Sequence, residues 1–316
     1  MTTLQPMSLG GILDRAIQLL RARFALFIGL ALFPGLSQLA YQLASVHPKA
    51  SIGHSGAHLV LVLASYCAQF VFWVMSFAFQ VITTAAICFA ASRVNFGEEV
   101  TIRSAFGAYQ SKGGRLVWLG ILQGLYTCWP LVIAICISTV FAIFGSGVLV
   151  TSHFLIIATL VLGCIPGVAL YVRYALAYPA CAIENLSAHN AIKRSISLGE
   201  GNRWKICWGF LLPVAISTGL NLGFIWLIVL IKKLSPFIAD SPVTLAALDG
   251  TTTLLVNLVF TPLSAIVLTL LYYDQRIRRE GYDVERMMES AGLTASATLP
   301  IEGSLITPAA EEEVQA

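Results

Sequence analysis

Residues 8–23 read SLGGILDRAIQLLRAR, and residues 24–46 continue FALFIGLALFPGLSQLAYQLASV. The first stretch sets Leu9, Ile12, Leu13, Ala16, Ile17 and Leu20 at the three- and four-residue intervals of one helix face. Ser8 stands where a hydroxyl can accept a bond from the free amides of the first turn. The second stretch carries no charge and exceeds the roughly 20 residues that take a helix across hydrocarbon. Together they predict an amphipathic helix at a membrane surface, followed by a spanning helix.

The same paragraph of sequence returns twice. One copy starts at Thr101, with Ile102, Ala105, Phe106 and Tyr109 as its stripe; the other starts at Ser187, with Ala188, Ala191, Ile192 and Ile196. Arg23, Arg115 and Arg203 follow the three stripes, then Gly29, Gly120 and Gly209, then Pro34, Pro130 and Pro213. A repeated unit identifies the building block before the fold. Gly113-Gly114 and Gly199 with Gly201 are expected to close the second and third surface helices as left-handed caps.

Outward from these units, six apolar segments run approximately over 24–46, 58–91, 116–144, 154–178, 204–231 and 245–273. The expected fold is all-α: a polytopic membrane bundle of six transmembrane helices in three helix-hairpin units, each preceded by an amphipathic interfacial helix. Residues 1–290 form the membrane domain, with a short helix over Tyr282–Ser290. Residues 291–316, small and polar and carrying Glu311, Glu312 and Glu313, form a disordered cytoplasmic tail. The first apolar run is too long for a signal-peptide core and its upstream helix recurs, so it is expected to be retained.

Composition agrees with lipid as the main solvent. Of the 316 residues 57% are hydrophobic and 11% charged, against about 25% charged in soluble domains. The net charge of +3 is too small to argue for nucleic acid. Its distribution says more. Arg15, Arg21 and Arg23 precede the first span, and Arg93, Arg103, Lys112 and Arg115 lie between the second and third. Lys193, Arg194, Arg203 and Lys205 lie between the fourth and fifth, and Arg276, Arg278, Arg279 and Arg286 follow the sixth. Lys49, Lys232 and Lys233 fall on the other side. Basic residues stay in the cytoplasm, so both termini are expected there.

Few residues offer chemistry. The seven cysteines lie in or beside apolar segments without a Cys-x-x-Cys pair and read as packing residues. His47, His54, His58 and His153 fall in outward loops without the fixed spacing of a metal site. There is no phosphate loop, no nucleophile with a base and no carboxylate pair, so no catalytic, cofactor or metal residue is assigned. Arg173 is the one basic residue well inside a span; it is expected to snorkel or to pair with Asp274 or Glu184. Pro34, Pro130, Pro166, Pro213 and Pro262 interrupt the spans, where Asn221, Asn257, Gln69, Gln80 and Gln123 are scattered as interhelical bonding groups.

Two exits from the spans carry a family likeness. Segment four leaves through Tyr178-Pro179-Ala180-Cys181-Ala182-Ile183-Glu184-Asn185, then Ala191-Ile192-Lys193-Arg194-Ser195. Segment six leaves through Leu271-Tyr272-Tyr273-Asp274-Gln275-Arg276-Ile277-Arg278-Arg279-Glu280-Gly281-Tyr282-Asp283. With Ser8-Leu9-Gly10-Gly11-Ile12-Leu13-Asp14-Arg15-Ala16, these resemble the glycerophosphoryl diester phosphodiesterase membrane-domain family of bacterial multi-pass proteins. The resemblance covers the chain to about Ser290. It implies a module of the bacterial cytoplasmic (inner) membrane that anchors, positions or regulates a partner. The phosphodiesterase activity is not carried over, since this chain has no such catalytic domain. Glu184, Arg194, Asp274, Arg278, Glu280 and Tyr282 match the family's characteristic positions and, with Arg173, are expected to form a charged cluster tying helix ends together.

The functional expectation is a non-catalytic membrane scaffold or lipid-interacting module with no cofactor. Arg15, Arg21, Arg23, Arg103, Arg115, Lys193 and Arg203 are the candidate lipid-headgroup contacts, and a cytoplasmic or membrane protein is the expected partner. The alternative is a small transporter or channel-like protein with a cavity lined by proline-broken helices; an intramembrane lipid-modifying enzyme is a distant third.

Overall fold

A backbone in hydrocarbon must satisfy its amides and carbonyls within its own segment, and the apolar runs accordingly form helices. The computed structural model describes residues 7–45, 56–109, 112–144, 149–234, 242–282 and 288; among these there is no strand. The order is α1 (Leu9–Ala22), α2 (Phe24–Ala44), α3 (Gly56–Asn95), α4 (Ile102–Gly107), α5 (Gly113–Phe144), α6 (Leu149–Tyr174), α7 (Ala177–Ile183), α8 (Ala188–Gly199), α9 (Arg203–Leu234) and α10 (Pro242–Glu280). Six stretches are long and apolar enough to cross a membrane, running from Phe24–Ala44 to Val243–Glu280, and they fit a membrane protein. His47 and His54, most of Tyr282–Ser290 and the whole of 291–316 lie outside the described residues.

α10 is the central helix. Half of its most apolar stretch is buried inside the protein, whereas the corresponding stretch of α9 has none buried. Residues 265–275 of α10 are buried without interruption, as expected of a helix surrounded on all sides. α2 and α9 pack along α10, α2 also packs on α3, and α5 packs on α6. The core gathers toward one end of the bundle, with Ile12, Phe27, Ile87, Leu116, Leu176 and Ile266 fully enclosed there. The short helices α1, α4, α7 and α8 close that end.

The surface helices depart from expectation in detail. Ser8 Oγ accepts from the Gly11 amide at 3.2 Å, and Thr101 and Ser104 cap each other reciprocally. Ser187 makes no such bond, although its extended backbone suits the position. Gly113 and Gly114 open α5 rather than closing α4, which ends at Gly107 with Ala108 as its cap. Gly201 does adopt positive φ, one residue beyond the Glu200 cap of α8. On α1, Ile12, Ala16, Leu19 and Leu20 are buried, while Ile17 is 39% exposed and drops out of the stripe.

The fourth apolar segment is not one helix. It stops at Tyr174 and restarts at Ala177, with Ala175 and Leu176 as a turn. Pro179 explains the break: in a continuous helix its ring would strike the Ala175 carbonyl and leave it without a donor, whereas proline is tolerated in the first turn of α7. Pro34, Pro130, Pro166, Pro213 and Pro262 lie inside helices that run on past them.

The recurring glycines have a packing reason. A Cβ at Gly29 would fall 2.5 Å from Ile102 Cδ1; at Gly120, 2.7 Å from Val81 Cγ2; at Gly209, 2.7 Å from Leu271 Cδ1. Each sits where a neighbouring side chain presses onto its helix. That shared need accounts for one landmark of the threefold unit.

Candidate functional site

The charged end is built around two carboxylates. Asp274, 0% exposed near the end of α10, accepts from four donors. The Met7 amide lies at 2.9 Å, Lys205 Nζ at 2.6 Å, Arg278 Nε at 3.0 Å and Gln275 Nε2 at 3.2 Å. Lys205 and Arg278 also donate to the Met7 carbonyl, at 2.6 and 3.2 Å. A buried carboxylate persists only with such pairing and with its remaining lone pairs filled. Helices α1, α9 and α10 thus meet on one side chain.

Glu184, the cap residue of α7, is the second centre. Arg194 of α8 lies 3.0 Å away and Arg276 3.8 Å away, and the Tyr272 hydroxyl donates to it. Arg194 also pairs with Glu280, which Arg276 reaches at 3.3 Å. Burial tends to lower the Arg194 pKa, but its bonds to Glu280 and Glu184 outweigh this and hold it above the ordinary value. The Arg276 guanidinium stacks 4.1 Å above the Tyr282 ring.

Next to Glu184, Asn185 takes positive φ of 59°, a conformation asparagine tolerates at a helix end. That turn aims its side chain at α5, where Lys112 Nζ and Arg115 donate to Oδ1 at 2.9 and 2.8 Å. Tyr109 donates to the Ala182 carbonyl at 2.8 Å, and burial pushes its phenol well above the usual range.

The expected cluster divides in two: Asp274 pairs with Arg278, while Glu184, Arg194, Glu280 and Tyr282 gather around Arg276; Arg173 is bonded to neither group. Among the described residues it makes no ion pair, and its Nε is buried without a partner. Its contribution is its carbonyl, which accepts from Ser195 Oγ at 3.0 Å. The carboxylates expected to receive it are already occupied by Lys205, Arg278, Arg194 and Arg276.

The lipid-headgroup candidates divide. Arg15 donates to Asn95 at 3.3 Å, Arg23 pairs with Glu99 at 3.4 Å, and Arg115 is held by Asn185. Arg21, Arg103, Lys193 and Arg203 are exposed and make no side-chain bond among the described residues.

A second polar region lies halfway along the spans. Two adjoining hollows of about 300 and 240 Å³ share Gln80, Asn257 and Thr261 as walls. The first adds Pro34, Gln38, Trp73 and Ser76; the second adds Thr84, Tyr171, Ser217 and Ser264. Asn221 and Gln123 line neither. Asn221 bonds the Ser217 carbonyl at 2.9 Å, and Gln123 is buried with its amide atoms unbonded among the described residues.

Residues 7–274 match the family described as a domain of unknown function, DUF7847. The chain belongs to that family. No curated protein matches the chain, and no solved structure does. Nothing in these comparisons links the DUF7847 stretch to the glycerophosphoryl diester phosphodiesterase membrane-domain family that the exit motifs resemble. The first and last residues of the matched DUF7847 region, Met7 and Asp274, are bonded to each other.

Some members of the charged end of this DUF7847 protein escaped the sequence reading. Lys205 entered only the charge count, Tyr272 and Asn185 only the stretches that carry the resemblance, and Arg276 both, without a role. For Arg276 and Glu280 the four-residue spacing was a readable signal. Met7 acts through its backbone, which no side-chain pattern announces.

Proposed function

We propose that this protein is a non-catalytic membrane module whose basic end engages anionic lipid headgroups and presents a rigid face to a partner. One observation carries the reading: Arg21, Arg103, Lys193 and Arg203 stand exposed and unbonded beside a network that uses most of the neighbouring charges internally. Free cations at a helix-capped end suit phosphate oxygens. Trp204 and Trp208, 71% and 44% exposed next to Arg203, suit the aromatic belt of a membrane interface.

The wider reading goes with it. The six spans form three hairpins (α2–α3, α5–α6/α7, α9–α10), each introduced by an amphipathic helix, α1, α4 or α8. The basic bias supports a cytoplasmic position for that end and for both termini, and the exit motifs favour a bacterial inner membrane. The resemblance to the membrane module of the phosphodiesterase family supports a partner-positioning role without adding catalysis.

The test uses the full-length protein in nanodiscs, reading tryptophan quenching by brominated phosphatidylglycerol against brominated phosphatidylcholine. The anionic lipid is expected to quench more strongly. The variant R21Q/R103Q/K193Q/R203Q is expected to erase the difference. Equal quenching of the unaltered protein by both lipids rejects the reading.

A second reading, a small transporter, is favoured by the mid-span hollows, one of which is lined by Pro34. Reconstituted vesicles showing solute flux dependent on Asn257 would promote it over the first.

A further inference from the structure

The mid-span hollows are out of keeping with their surroundings. Gln38, Gln80 and Asn257 lie near the middles of α2, α3 and α10, the level farthest from either end of the bundle. Their side-chain amides make no hydrogen bond among the described residues, and they face the two hollows rather than one another. An amide held in hydrocarbon without a partner is strongly disfavoured, so polar side chains in spans ordinarily bond across helices. Here that has not happened. Ser76 reaches Ser37 at 3.1 Å, but the three amides point into open space. With no partner among the described residues, they are open to bonds from a group that enters the hollows.

The walls define what can enter. Among the described residues no acidic or basic side chain and no histidine lines either hollow. An ion brought to this depth would find no countercharge, so the occupant's polar part is uncharged. It must both donate and accept, because amides and hydroxyls do both. Around the polar strip stand Trp73, Phe77, Tyr171, Phe210 and Phe260, an aromatic lining suited to hydrocarbon chains. The volumes, about 300 and 240 Å³, together match the lower range of small-molecule sites.

The direction of entry follows from exposure. Gln80 and Trp73 are both exposed although both are mid-span residues. At that level the outer surface of a membrane bundle meets acyl chains, so the opening is sideways into the bilayer.

We infer that the cleft between α2, α3, α9 and α10 binds a membrane amphiphile with an uncharged, hydroxyl-bearing polar group, entering laterally from the bilayer, with Gln80 and Asn257 as its recognition pair. The inference is independent of headgroup binding at the basic end and does not require transport.

The experiment uses full-length protein in nanodiscs and a diazirine-bearing diacylglycerol as probe, with the matching phosphatidic acid as the charged control. Labelled peptides are mapped by mass spectrometry. The diacylglycerol is expected to label residues 71–84 and 254–268, and excess unlabelled diacylglycerol is expected to suppress this at least tenfold. The charged analogue is expected to label these peptides at least fivefold less. Gln80→Leu with Asn257→Leu is expected to lower labelling at least fivefold while the thermal midpoint holds or rises. If that pair fails to fold, Thr261→Val alone is expected to lower labelling at least twofold. Equal labelling by both probes, labelling indifferent to the substitutions in folded protein, or protection by aqueous glycerol but not by diacylglycerol would each overturn the assignment.

Discussion

The charged end and the mid-span cleft solve opposite problems with similar groups. At the charged end Asp274 is fully buried, yet it has side-chain donors from α9 and α10 and a fourth donor in the Met7 backbone. In the cleft, Gln80 and Asn257 are less enclosed, and their side-chain amides make no hydrogen bond among the described residues. The difference lies in what the surrounding helices offer. The charged end is closed by α1, α4, α7 and α8, which bring backbone groups and long cations within reach. The cleft is bounded only by spanning helices whose backbones are already bonded internally. The saturated cluster ties helix ends together; the unsaturated one is where we infer that an outside group supplies the missing bonds.

Substitutions can break this contrast. The largest effect is expected for Asp274→Asn, which leaves Lys205 and Arg278 facing a neutral amide. Removing one partner of a buried pair should cost about 3 kcal/mol, read as a lowered thermal midpoint in detergent. An unchanged midpoint would mean the joint is ornamental. Tyr272→Phe comes next: it deletes the hydroxyl that donates to Glu184 and should cost about 2 kcal/mol by the same measurement. Gln38→Leu should act with the opposite sign. Removing an unbonded amide from the cleft should raise stability by about 1 kcal/mol, and a loss would place Gln38 in a bonded role. Arg21→Gln, exposed and outside both regions, should leave the thermal midpoint where it was and alter only the preference for anionic lipid.

The sequence was most legible where one residue type has one physical use. Charge-free runs announced the spans, because their length alone meets the hydrocarbon thickness. Spacing announced α1, and Gly29, Gly120 and Gly209 stood out as landmarks of the repeat, although their packing reason came only with the neighbours that press on them. Asp274 and Glu184 could be placed at one depth from their distances to span ends. Their partners could not. Arg173 is nearer in sequence to Glu184 than Lys205 is to Asp274, yet the α6–α7 break at Ala175 and Leu176 separates the first pair, while helix packing joins the second. The second surface stop was misjudged for a related reason: Gly113-Gly114 fit the end of one helix or the start of another, and the neighbours decide. The cleft was visible only as scattered amides; that Gln80 and Asn257 face the same space while Gln123 and Asn221 do not depends on helix rotation, which composition does not encode.

The bond between the Met7 amide and Asp274 has a consequence for biosynthesis. These residues are 267 apart in sequence, so the ribosome delivers one long before the other. Throughout insertion of the first five spans, α1 lacks the carboxylate that fixes its entrance. α1 is translated before α10 and its Met7 bond to Asp274 is therefore made only when α10 arrives. A contact of such long sequence separation forms late and slowly, and a polypeptide truncated before residue 274 would leave α1 without the bond that fixes its entrance.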